Sequence, residues 1–283
     1  MRKIILILVL PVLLAACAKN ENNPTDYNVL KNLPVDTGGV QVAHILESTS
    51  SPYGFYAYTP SAYTEDGPEY PLLVFLHGSG EKGNSATDPA KLDLVLRNGP
   101  PMLINKNNWT TAYPMIVASP QCHDSGWNAQ KIHDFISYLI EHFPVNKKRI
   151  YVTGLSMGGY GTFNYVGTFG DESYAAACVP ICGGGSTNQA ESFLTIPTWI
   201  FHGDADGTVS VNNSINMYNA INAINPVLKA KLTLYPGIGH NSWSMTYDGT
   251  GMGTERSDYD AFSQSIYDWM FEYQKEYPTE DGL

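Results

Sequence analysis

Ile150-Tyr151-Val152-Thr153-Gly154-Leu155-Ser156-Met157-Gly158-Gly159 is the stretch that decides the fold. An apolar run of strand character ends at Thr153, a G-x-S-x-G turn follows, and the spacing over residues 160–169 suits an amphipathic helix. A serine on so sharp a strand-to-helix turn takes strained backbone angles, and flanking glycines tolerate them because they carry no side chain to clash. The turn lifts the hydroxyl above the sheet, where a base can reach it. The helix behind points its positive end at any negative charge formed there. Ser156 is therefore the candidate nucleophile, and the Met157 N–H a candidate oxyanion donor.

Working outward, the same form repeats. Short apolar or aromatic runs at 40–46, 55–59, 71–77, 115–119, 150–153, 174–180, 198–202 and 231–235 read as strands bounded by Gly, Pro and turn residues. Several of them are unbroken rather than alternating, which a parallel sheet covered on both faces requires. Between them, residues 89–97, 129–142, 160–169, 211–224 and 257–276 have helical spacing. Strand and helix in alternation predict an α/β fold with a mostly parallel, doubly wound sheet in a single domain over residues 39–283. Ligands of such sheets bind outside the carboxyl ends of the strands, so the residues just after each strand carry the chemistry.

Three further strand ends complete a constellation. His77-Gly78-Ser79-Gly80 follows the third run. The Ser79 amide, placed after a glycine that lets the chain turn inward, is the second candidate oxyanion donor, with His77 bracing the loop. Phe201-His202-Gly203-Asp204-Ala205-Asp206-Gly207 follows the next-to-last run and offers two carboxylates. Asp204, nearer the strand end, suits loop capping; Asp206 is the expected orienting acid. Tyr235-Pro236-Gly237-Ile238-Gly239-His240 follows the last run. His240 is the expected base, since imidazole has an intrinsic pKa near neutrality and the acid can hold its tautomer. His44, His123, His133 and His142 lack such a context and read as surface or core residues. Gln121, Trp127 and Trp243 are candidate cleft-lining residues, Glu81 and Lys82 a structural charge pair.

At 43% apolar and 15% charged residues, the chain is neither disordered nor a coiled coil. A formal charge of −11, with no dense basic cluster beyond Lys3, speaks against nucleic acid as a partner. The 19 tyrosines are expected mainly to pack and cap strands. No His or Cys pair has zinc spacing, and the chemistry needs neither metal nor cofactor. The chain begins with a basic Arg2-Lys3 and an apolar run over 4–14, shorter than the roughly 20 residues that span a membrane. Leu14-Ala15-Ala16-Cys17 then resembles the lipobox of bacterial lipoproteins, in which the cysteine is acylated. Residues 1–17 are thus expected to be a signal peptide ending in a lipidated Cys17, and 18–38 a flexible tether. The expected location is exported, on the periplasmic or cell-surface side of a membrane. Export permits disulfides, but three cysteines remain, Cys122, Cys178 and Cys182. One bridge plus a free thiol, or three buried thiols, both fit.

The stretches PLLVFLHGSGEKGN, NGPP, ASPQC, TGLSMGGYGT, PICGGG, IPTWIFHGDADGTV and LYPGIGHNSW together resemble one group of α/β-hydrolases. This is the peptidase/esterase group near feruloyl esterase, acetylxylan esterase and polyhydroxybutyrate depolymerase, over residues 53–270. The resemblance places the acid at the second Asp of the HGxxD stretch, which is Asp206. Ser210 departs from the proline frequent there. It implies a serine carboxylesterase working through an acyl-enzyme on Ser156, acting on small or polysaccharide esters, acyl or feruloyl, with no obligate protein partner. A prolyl-oligopeptidase-like peptidase and a silent glycan-binding lipoprotein are the alternatives. The former is disfavoured because no propeller or lid domain is present, the latter because no member of the constellation is missing.

Overall fold

The apolar runs lie side by side in one eight-stranded sheet, ordered β1-β2-β4-β3-β5-β6-β7-β8. The computed structural model describes residues 27–277. The strands are β1 (Val40–His44), β2 (Gly54–Thr59), β3 (Tyr70–Leu76), β4 (Ile116–Gln121), β5 (Val145–Leu155), β6 (Ala177–Ile181), β7 (Trp199–Gly203) and β8 (Lys231–Tyr235). The β1–β2 and β2–β4 ladders are antiparallel, and the pairings from β4 through β3 to β8 are parallel. Every residue of β3, β4, β6 and β7 is buried. That is why these runs are continuously apolar: both faces of the sheet are covered, leaving no solvent side to alternate toward.

The helices are α1 (Tyr27–Lys31), α2 (Gly99–Asn105), α3 (Ala129–His142), α4 (Met157–Phe169), α5 (Asn212–Ala223), α6 (Trp243–Tyr247) and α7 (Ile266–Phe271). α3 starts at an Asn128 side chain that accepts from the Lys131 amide, and buries Ile132, Phe135, Ile136 and Leu139 at helical spacing. α3 lies beside α4, while α2 meets α6. On the side of α6 and α7, Tyr151 donates its hydroxyl proton to the Tyr273 carbonyl at 3.0 Å, and Thr153 meets the Tyr247 hydroxyl at 3.0 Å.

Some expectations are corrected. Residues 89–97 form 3-10 turns rather than an α-helix, with Asp88 capping Ala90 and only Leu92 and Val95 buried. A three-residue spacing of core contacts matches the 3-10 period. The helix expected over 257–276 shrinks to α7. Its first part runs instead along the outer edge of β8, where the Asp260 carboxylate takes the Leu232 amide at 2.9 Å and the Asp260 amide donates to the Leu232 carbonyl at 2.8 Å. A backbone committed to covering a strand edge is not free to make helical bonds. The end of the expected 18–38 tether is folded: α1 buries Leu30 in the core, and Leu33 follows it. Cys122, Cys178 and Cys182 are three free, buried thiols. Cys17, the expected signal peptide 1–17 and residues 18–26 of the tether lie outside the described residues.

Candidate active site

Four parallel strands deliver the candidate residues to one end of the sheet: Ser156 directly follows β5, Ser79 comes three residues after β3, Asp206 three after β7 and His240 five after β8. Ser156 sits at φ 52°, ψ −115°, a left-handed conformation that a side chain makes costly. Its amide donates to the Ile181 carbonyl on β6 at 2.9 Å, which fixes the turn. The turn is also pressed from behind. A Cβ on Gly158 would lie 1.8 Å from the Leu76 carbonyl oxygen, so only glycine lets the start of α4 touch the end of β3.

The three side chains meet. Ser156 Oγ lies 2.9 Å from His240 Nε2, and His240 Nδ1 lies 2.7 Å from Asp206 Oδ2. Asp206 Oδ1 accepts the amides of Thr208 at 2.8 Å and Val209 at 2.9 Å. Burial pushes the Asp206 carboxyl up, but the His240 hydrogen bond and the Val209 and Thr208 amides outweigh it and hold the group below its ordinary value. The carboxylate is therefore ionised at neutral pH, and its Oδ2 fixes the His240 proton on Nδ1. That leaves Nε2 as the acceptor facing the serine hydroxyl. Asp204 points elsewhere: its carboxylate takes the Gly237 amide at 2.7 Å and Arg256 at 3.2 Å, tying down the loop that carries His240.

The Met157 amide follows Ser156 directly at the start of α4, and Ser79 follows Gly78, where an added Cβ would lie 2.7 Å from Leu155 Cδ1. The direction of the Ser79 amide is set by its neighbour. His77 Nε2 accepts the Cys122 amide at 2.9 Å, so its proton is on Nδ1, which donates to the Gly78 carbonyl at 2.6 Å. That carbonyl belongs to the same peptide unit as the Ser79 N–H. Gripping one end of a planar peptide aims the other. Burial drives His77 down to about 4 against the Gly78 bond, so the ring stays neutral and this tautomer persists.

The cleft expectations divide. Trp127 donates its indole N–H to the His77 carbonyl at 3.0 Å and walls a cavity of about 400 Å³ shared with Met157, Tyr160, Gly184 and Gln189. Trp243 stands edge-on to His240 at 5.3 Å. Gln121 is corrected: it is 1% exposed, and its amide donates to the Glu81 and Lys91 carbonyls, holding the loop after Ser79. A side chain with its donor committed to two backbone carbonyls cannot face substrate. Glu81 pairs with an amide rather than with Lys82, accepting from Asn98 Nδ2 at 2.6 Å, while Asn98 Oδ1 takes the Trp243 indole N–H at 3.0 Å. Asn98 and His202 are the participants that motif reading left without a role. Their signals were the NGPP and FHGDAD stretches themselves. A larger cavity of about 750 Å³ lies between α2, α6 and α7, and none of Ser156, Asp206 and His240 lines it.

No curated protein matches the sequence. Among solved structures, a thermostable esterase is 26% identical with a TM-score of 0.60; the match covers 83% of this chain and 63% of the esterase, so the chain spans under two thirds of that relative's length. The feruloyl esterase module of Clostridium thermocellum, complexed with sinapinate, is similar at 17% identity and TM-score 0.57, over 88% of this chain and 92% of that one. The S-formylglutathione hydrolase of Staphylococcus aureus follows at 14% identity and TM-score 0.59, over 84% and 99%. At these last two identities the likeness is one of fold. The phospholipase/carboxylesterase family profile matches residues 60–248, more than half of the 283-residue chain. With this match, on this sheet order, the chain belongs to the phospholipase/carboxylesterase family of α/β-hydrolases.

Proposed function

We propose that the protein is a serine carboxylesterase that cleaves short acyl or hydroxycinnamoyl esters of carbohydrates through an acyl-enzyme on Ser156. The observation that carries this reading is the unbroken relay from Ser156 Oγ through His240 to the ionised Asp206. In the first half-reaction His240 Nε2 takes the Ser156 proton while Oγ bonds to the ester carbonyl carbon. The carbonyl electrons move onto oxygen, where the Ser79 and Met157 amides receive the charge. Collapse of this adduct breaks the bond to the alcohol oxygen, which leaves with the proton held on His240. Water then repeats the sequence on the acyl-enzyme and frees Ser156. The 400 Å³ cavity beside Met157, mainly apolar and without a charged lining residue, supports a neutral acyl or aryl group on that side. An ester is the favoured substrate because amides leave less readily and need a grip on the chain around the scissile bond.

Replacing Ser156 with Ala is expected to lower kcat on an aryl acetate by roughly 10⁴- to 10⁶-fold while thermal unfolding stays put. More than a tenth of activity remaining would remove Ser156 from the mechanism. In parallel, Asp206→Asn is expected to cost far more than Asp204→Asn, and the reverse ranking would move the acid. On substrates, kcat/KM for acetylated or feruloylated xylan fragments should exceed that for chromogenic peptides. A tenfold advantage for peptides would end the ester reading and leave the triad standing. From the Leu14–Cys17 stretch we further infer that the chain is exported and held at a membrane by lipid on Cys17.

A further inference from the structure

The candidate acid is held by two imidazoles, and only one of them faces the serine. His202, the fourth residue of β7, has a fully buried side chain whose Nε2 lies 3.1 Å from Asp206 Oδ2 and 3.0 Å from the Val209 carbonyl. Both neighbours are acceptors, so Nε2 carries the proton. On the other side of the ring Nδ1 lies 2.7 Å from the Ser214 hydroxyl, itself 3.2 Å from the Gly183 carbonyl. With Ser214 giving its one proton to Nδ1 across the shorter contact rather than to the Gly183 carbonyl, a neutral ring accepts at Nδ1 and donates from Nε2. Burial lowers the His202 pKa against the opposing pull of Val209 and Asp206, which agrees with a neutral ring at pH 7.

We propose that His202 is a positioning residue that acts through Asp206, fixing the plane of its carboxylate so that Oδ2 stays in line with His240 Nδ1. The inference rests on the reading of Asp206 as the acid. Oδ1 is pinned by the Thr208 and Val209 amides, but two bonds to one oxygen leave the carboxylate able to swing about it. His202 closes that freedom by holding Oδ2, the same oxygen that meets His240. With four N–H groups on its two oxygens, Asp206 has its acceptor sites filled, and the buried charge has no reason to turn away from His240. The geometry also accounts for the Val209 carbonyl: the same N–H that holds Asp206 holds the loop that supplies two of its amides. His202 does not touch substrate.

The test is a pair of substitutions of similar polarity and different reach, measured on the full chain with an aryl acetate. In His202→Gln the side-chain amide reaches the position of Nε2 and can donate to Asp206. In His202→Asn it reaches only the position of Nδ1. A lost hydrogen bond to a buried charged group corresponds to roughly a ten- to hundredfold effect. His202→Asn is therefore expected to lower kcat by that factor at unchanged KM, and His202→Gln to recover most of it. In an Asp206→Asn background the two variants should differ by less than about twofold, because residues that act as one unit do not multiply their losses. A His202→Asn loss that persists at its full factor in that background, or His202→Asn activity equal to wild type, overturns the proposal. Thermal unfolding of both variants separates either result from a folding defect. If Asp206→Asn alone keeps its activity, the acid assignment fails first, and the result is distinguishable from failure of His202.

Discussion

At the scale of single residues, the site is built from side chains that hold unfavourable states for others. Ser156 keeps a left-handed backbone that costs on the order of 1 to 3 kcal/mol in a non-glycine residue. Ser156→Gly should therefore abolish hydrolysis and raise stability by about 1 kcal/mol in urea unfolding; a loss of stability would mean the turn is not strained. His77 gives a pH signature. Folded, it titrates at about 4 against an ordinary 6.5, because burial disfavours its charged form. Below pH 6.5 the unfolded chain takes a proton that the folded chain refuses, so stability must fall as pH drops from about 7 toward 4. At about 1.4 kcal/mol per pKa unit, His77 alone accounts for roughly 3 kcal/mol of that fall. His44, His133 and His202 are also lowered, mainly by burial, and add in the same direction. Asp206, also lowered in the folded chain, has the same sign in a separate window, losing its contribution only as pH falls below its ordinary 3.8. Urea midpoints at pH 7 and 4.5 check this: His77→Gln should show a visibly smaller drop between them than wild type.

Among elements, the tight joint is β3 against the start of α4. Gly158→Ala would place a methyl 1.8 Å from the Leu76 carbonyl oxygen, and backbone on both sides cannot yield. A destabilisation of at least about 3 kcal/mol is expected, together with loss of activity. Gly126→Ala, which meets nothing within 4 Å, should change stability by less than about 0.5 kcal/mol. Equal behaviour of the two variants would show that the joint is looser than described. The same scale shows where periodicity served and where it did not. Residues 129–142 and 231–235 match α3 and β8 end to end, because each buries one continuous apolar set. α2 and α6 escaped notice, being seven and five residues long and too short for a helical period to stand out. α1 was hidden in a polar stretch, since only Leu30 of its five residues is buried. Leu30→Ala should nonetheless cost about 2 kcal/mol in thermal or urea unfolding if α1 belongs to the core.

For the molecule as a whole, the sheet is a platform that gathers Ser156, Asp206 and His240 at one end, and the inferred anchor is tested separately. Full-length protein is expected to partition with membranes, and Cys17→Ser to release it or leave its leader uncleaved. One acyl chain gives only marginal binding, so durable attachment needs the several chains that a lipobox cysteine receives. Mass spectrometry of the exported protein decides it: an unmodified Cys17, or a soluble product cleaved past it, ends the anchor reading while leaving the active site untouched.

What the sequence determined by itself is the local grammar. Unbroken apolar runs specify buried parallel strands, and G-x-S-x-G between a run and a helix specifies the turn that carries Ser156. Both are legible because period and backbone freedom act over a few neighbouring residues. The strand ends also drew attention to the loops of Ser79, Asp206 and His240. Only the tertiary structure decided which side chains meet. His240 lies 84 residues from Ser156 and 34 from Asp206 along the chain, and the parallel strands between them set those contacts. It also sent Asp204 to Arg256 and Gln121 to the Glu81 carbonyl, and it left three cysteines as buried thiols. Asn98 and His202 gained their partners the same way, across strands and loops remote in sequence. Side-chain direction at a loop is fixed by which donors and acceptors the packed sheet brings within 3 Å or so, and no local pattern encodes that.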